Sequence, residues 1–127
     1  MSGAAVLAVG IGAALGAWLR WGLSSTMNPV FPALPFGTLA ANLIGGYLIG
    51  FAVAWFGAST SVSQEVRLFV ITGFLGGLTT FSTFSAEAVA LLARSQYGWA
   101  LALIGAHLAG SIAMTVLGML TFGWLKT

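Results

Sequence analysis

Twelve consecutive residues, Gly76-Gly77-Leu78-Thr79-Thr80-Phe81-Ser82-Thr83-Phe84-Ser85-Ala86-Glu87, place two glycines, five hydroxyl side chains, two phenylalanines and a carboxylate inside an apolar run. No nucleophile–base pair stands out among them, so the chemistry on offer is ion coordination and an enzyme is not expected. A helix that stops near Gly76 turns unsatisfied carbonyls toward the break, and one that restarts at about Thr80 presents free N–H groups. Carbonyls of that kind suit a small cation such as sodium. Hydroxyl and amide donors suit an anion, and weak donors at several sites favour passage over trapping. No lysine or arginine falls among these hydroxyls. The edge of an aromatic ring carries positive partial charge, so Phe81 and Phe84 can face an anion without a basic side chain. A strongly hydrated small anion gains most from such donors, because they replace the shell it gives up. Water or a neutral solute would use the same groups.

The rest of the chain has to hold that segment in place. At 127 residues there is room for one domain, residues 1–127. Hydrophobic residues make up 59% and charged residues 5%, against about 25% charged in an ordinary soluble domain, so the chain is read as an integral membrane protein. Four dispersed cations, Arg20, Arg67, Arg94 and Lys126, face Glu65 and Glu87; without a basic patch, nucleic acid is excluded as a partner. The absence of cysteine excludes disulfides and thiolate metal sites. The segment Met1–Ala5 lacks the positive region of a cleavable leader, so the first apolar run is expected to be a retained helix.

The predicted fold is all-α, with four membrane spans at about 3–23, 36–57, 66–93 and 100–125. The third is too long for a straight perpendicular crossing, and a break at Gly76-Gly77 divides it into half-helices of about 66–75 and 80–94. Helical spacing then gathers Thr79, Thr80, Thr83 and Glu87 into one polar stripe. An acid at membrane depth is a functional candidate, and Glu87 is read as one. Gly12 and Gly16 form a G-x-x-x-G pair for close helix packing. Ser63 is the predicted N-cap of the third span. Arg20, beside Trp18 and Trp21, reads as an arginine snorkelling to the interface, the alternative being a structural or vestibule charge. Thr38 and Asn42 share a helix face, and Asn42 serves either a helix-to-helix hydrogen bond or permeation. His107, Ser111 and Thr115 recur every four residues on one face of the fourth span, with His107 read as a packing residue. The small-residue faces of the first two spans call for partners, at least a dimer. With two cations expected on each side, the positive-inside rule sets no orientation, and an antiparallel dimer follows.

The segments G-A-A-L-G-A-W-L-R at 12–20, G-T-L-A-A-N at 37–42 and G-G-L-T-T-F-S-T-F-S-A-E at 76–87 resemble the Fluc-type (CrcB-like) fluoride channels, and the resemblance covers nearly the whole chain. It implies an antiparallel, dual-topology homodimer in the bacterial inner membrane, with two pores that export fluoride passively. It also implies a central sodium on the backbone carbonyls of Gly76 and Thr79. Phe81, Phe84 and Asn42 would line the pores, with Ser111 and Thr115 extending a polar track; Thr83 and Glu87 join the pathway from the stripe described above. His107 matches no motif of the family. The competing readings are a small dual-topology exporter that exchanges protons at Glu87, and a structural subunit without transport.

Overall fold

The computed structural model describes all residues 1–127. It is entirely helical. Helix α1 spans Gly3–Met27 and α2 spans Phe36–Ala58. The third span begins as α3 (Gln64–Arg67), continues as a π-helical stretch (Leu68–Leu75) and ends its first half as α4 (Gly76–Leu78). Its second half is α5 (Phe81–Ala93), and α6 (Tyr97–Lys126) closes the chain. Four of the resulting spans, Gly3–Val30, Phe36–Ala58, Gln64–Ala93 and Tyr97–Lys126, are long and apolar enough to cross a membrane. Only 20 of 127 residues are buried, which fits a bundle whose outer faces meet hydrocarbon and not water.

Caps mark most boundaries. Ser2 Oγ accepts from Ala5 N–H to start α1, and Ser63 Oγ accepts from Val66 N–H to start α3. Helix α1 runs further than the prolines suggest, to Met27, because Pro29 falls in the 3₁₀ turn Asn28–Val30 that follows it. Arg67 ends α2 from outside. Its two terminal nitrogens donate to Phe56 O at 2.8 Å and Ser59 O at 2.7 Å, and its Nε to Val62 O at 3.3 Å. A cation thus closes the negative end of a helix and its following loop.

Packing is set by glycine. Helix α1 lies along the π-helical stretch and α4, while α2 lies along α6. A Cβ on Gly16 would fall against Phe74 O and stand 2.7 Å from Leu78 N; one on Gly50 would stand 2.8 Å from Thr115 C. Backbone meets backbone at both seams, as membrane helices do when small residues let them approach. The G-x-x-x-G pair therefore packs within the chain, against the third span. Gly46 and Gly50 of α2 are likewise packed on α6, while Gly37 meets α1 and Gly45 meets Thr79.

The break lies at Thr79 (φ −88°, ψ 156°) and Thr80 (φ −150°, ψ 121°), both extended. Gly76 and Gly77 remain helical, contrary to the expectation that they interrupt the helix. Gly77 is small for a different reason: a Cβ there would run into the backbone of Ala13 in α1. The helix ends two residues later because Thr80 is drawn out by α2 and serves as N-cap of α5, its Oγ1 accepting from Thr83 N–H at 3.1 Å.

Arg20 reaches this end. Its Nε donates to Gly77 O at 3.0 Å, which ties α1 to the end of α4. Replacing Arg20 by leucine strands that carbonyl, and a loss of about 2 kcal/mol is expected for a charge-assisted bond. Unfolding of the purified variant in detergent measures it; unaltered stability would refute the capping role.

Candidate ion pathway

The carbonyls at the end of α4 account for the shape of the site. Leu75 O is taken by both Thr79 N–H (3.0 Å) and Thr79 Oγ1 (2.8 Å), and Gly77 O by Arg20. Gly76 O would ordinarily meet Thr80 N–H, but that donor goes to Asn42 Oδ1 at 2.8 Å. Thr79 lies in the break, so its carbonyl has no helical donor, and Thr83 N–H goes to the N-cap Thr80 Oγ1. The carbonyls of Gly76 and Thr79 thus lack the i+4 donor that a continuous helix would give them. Backbone oxygens are chemistry that suits a hard cation.

Asn42 of α2 organises the break. Its Oδ1 accepts from Thr80 N–H while its Nδ2 donates to Thr80 O at 2.9 Å, closing on one residue's backbone from both sides. The second Nδ2 hydrogen points at His107 Nδ1, 3.0 Å away. Of the two readings open for Asn42, the helix-to-helix bond is therefore realised in full, and both amide hydrogens are spent on it.

Beside this clamp lies a cavity of about 430 Å³ walled by α2, the break, the start of α5 and α6. Asn42, Gly76, Thr79, Phe81, Phe84, Ser111 and Thr115 all line it, together with His107 and Thr80. No lysine or arginine lies on its wall. The two phenyl rings meet edge to face, with centroids 5.3 Å apart at 76°, the arrangement that turns a positive ring edge toward an electron-rich neighbour. Phe84 is buried against His107, stacked at 4.6 Å and 28°, whereas Phe81 is 72% exposed. Thr115 Oγ1 donates back to Ser111 O at 2.9 Å, so its hydroxyl proton stays on its own helix.

The four-residue polar stripe does not form as expected. Thr79 and Thr80 lie outside the helix, and neither Thr83 nor Glu87 lines the cavity. Glu87 turns instead to the start of α2, where Thr38 Oγ1 donates to its Oε2 at 2.7 Å. Thr38 is held in turn by Asn28, whose Nδ2 donates to Thr38 Oγ1 and whose Oδ1 accepts from Thr38 N–H. The shared face of Thr38 and Asn42 is thus a pair of fasteners to the third span, one to Glu87 and one to Thr80. Thr38, Asn28 and the backbone of Thr80 are invisible as parts of the site in sequence, because their partners lie 10 to 49 residues away.

A family profile described as "CrcB-like protein, Camphor Resistance (CrcB)" matches residues 7–119. The chain belongs to the CrcB-like family. Among its CrcB-like relatives, a Nitrosospira multiformis protein is 62% identical over 121 residues, covering 95% of this chain and 94% of the relative. One from Pseudomonas putida is 59% identical over 121 residues, 95% of each chain. A third, from Cupriavidus pinatubonensis, is 61% identical over 116 residues, 91% of this chain and 92% of the relative. All three are named "Fluoride-specific ion channel FluC".

Proposed function

We propose that this CrcB-like protein is a fluoride-selective channel that lets the ion run down its gradient out of the cell. The observation that carries the reading is the cavity wall itself, where a broken helix, an edge-to-face phenyl pair and hydroxyls meet without a fixed cationic side chain. Weak donors and ring edges hold a small anion loosely, which conduction requires. Relatives about 60% identical over nearly their full length carry the name of that activity. The Glu87 exporter reading is not favoured, since that carboxylate is engaged by Thr38 away from the cavity.

The finer expectations form part of the proposal. The chain works as an antiparallel homodimer of dual topology in the bacterial inner membrane, and the second copy completes the pathway. The position of Phe81 supports this, since its ring is 72% exposed while lining the polar cavity, a side of the path that a second copy would cover. The carbonyls of Gly76 and Thr79 would hold a sodium ion, which would supply positive charge at the break.

Purified protein in liposomes tests the central reading. A fluoride gradient should collapse rapidly, without an imposed proton gradient, while a chloride gradient persists. Equal passage of chloride, or no flux, would overturn it. Phe81→Ile, which keeps apolar bulk but removes the ring edge, should slow fluoride by about tenfold, equivalent to about 1.4 kcal/mol of lost edge contact. An unchanged rate in a folded variant would remove ring-edge solvation from the account.

A further inference from the structure

We infer that His107 is a positioning residue of the pathway: by accepting the second N–H of Asn42, it keeps that carboxamide clamped on Thr80 and so keeps the helix broken.

The argument begins at a group whose role is not negotiable. A backbone N–H can only donate, so the atom of Asn42 facing Thr80 N at 2.8 Å is the carbonyl oxygen. The amide orientation is thereby fixed, and the atom 3.0 Å from His107 Nδ1 is the NH₂ nitrogen. One of its hydrogens goes to Thr80 O. The other faces Nδ1, which must carry the lone pair, so the ring proton sits on Nε2. Nothing on the far side of the ring opposes this, since Nε2 is buried with no hydrogen-bond partner in the chain. The choice of tautomer therefore belongs to Asn42 alone.

The ring is held as firmly as the tautomer. His107 is 3% exposed and stacks on Phe84, so it presents Nδ1 from a fixed plane. Without that acceptor, Asn42 loses one of three hydrogen bonds and the only one that ties it to α6. Thr80 N–H is then free to return to Gly76 O, which closes the turn that the site needs open. His107 thus acts through Asn42 on the break.

This inference rests on the fluoride-channel reading for its flux measurement only. The chain contains a single histidine, so selective ¹⁵N-histidine labelling gives one imidazole to observe in the full-length protein. Long-range nitrogen–proton spectra at neutral pH should show the proton on Nε2 and a bare, hydrogen-bonded Nδ1. A proton on Nδ1 would overturn the proposal whatever the flux. Two variants separate the acceptor from the ring. His107→Asn returns an acceptor oxygen near the place of Nδ1 and should conduct within threefold of the parent. His107→Phe keeps the ring and its stacking but loses the acceptor, and should conduct at least tenfold more slowly. A folded His107→Phe that conducts like the parent would refute the role; if that variant does not fold, the nitrogen spectrum decides alone. Failure of the parent to pass fluoride would count against the channel reading, while the clamp would still stand or fall by the nitrogen spectrum.

Discussion

Asn42→Asp is expected to reduce fluoride flux by about a hundredfold, equivalent to about 2.7 kcal/mol, although the two side chains have nearly the same shape. Asn42 meets two acceptors, Thr80 O at 2.9 Å and His107 Nδ1 at 3.0 Å, through two hydrogens on one nitrogen. An ionised aspartate has no hydrogen for either, and sets oxygen against oxygen and oxygen against a nitrogen lone pair. It also adds a negative charge to the wall of an anion path. Protonation does not rescue the site, because a carboxylic acid carries one hydrogen where two are needed. Fluoride efflux from liposomes, compared at equal amounts of monodisperse protein, is the measurement. A rate like that of the parent would mean that the clamp does not govern permeation.

The second large effect is expected on stability. Gly16→Ala puts a methyl group against Phe74 O, with Leu78 N at 2.7 Å and Phe74 C at 3.0 Å from it. All three are backbone atoms of the third span, so no side chain can swing aside and α1 must move away. Overpacking of this kind costs up to about 3 kcal/mol. Gly22→Ala is the internal control. It lies on the same helix with nothing within 4 Å of its added Cβ, and is expected to gain about 0.5–1 kcal/mol from helix propensity. Unfolding of both variants in detergent should move in opposite directions; equal behaviour would show that the α1 seam is looser than its geometry.

The contrast between those two glycines indicates what the sequence can convey. The four spans are legible because hydropathy over about 20 residues is a property of consecutive positions. The close-packing function of Gly12 and Gly16 is legible from their spacing, but not the element they pack against. The interruption of the third span is legible from its hydroxyls and glycines, and its position only to within about three residues. Two adjacent glycines are poor helix residues by propensity, and here the tertiary bonds of Thr80 to Asn42 prevail and move the break past them. The same limit applies to Arg20, whose neighbouring tryptophans suggest an interface while its partner is a carbonyl 57 residues away. Glu87 and Thr83 join the pathway only if one helix runs from Thr79 onward. With Thr79 and Thr80 extended, the stripe loses its upper half and Glu87 serves the α2 junction. The packing role expected of His107 holds for its ring but omits its Nδ1, whose importance depends on a side chain 65 residues away.

The π-helical stretch Leu68–Leu75 has a consequence for how the chain can change its length. Hydrogen bonds that skip five residues and not four carry an extra residue in the turn, so the stretch acts as an angular spacer between the cap at Ser63 and the carbonyls that follow. Deleting one residue there would remove that extra residue and let the segment relax to ordinary α-helix with the downstream register kept, whereas inserting one would rotate everything downstream by about 100°. After such an insertion Gly77 would leave Ala13 and the α1 seam would open. Loops between spans can gain or lose residues without such a penalty, whereas these eight positions can release a residue but cannot take one in without turning the break.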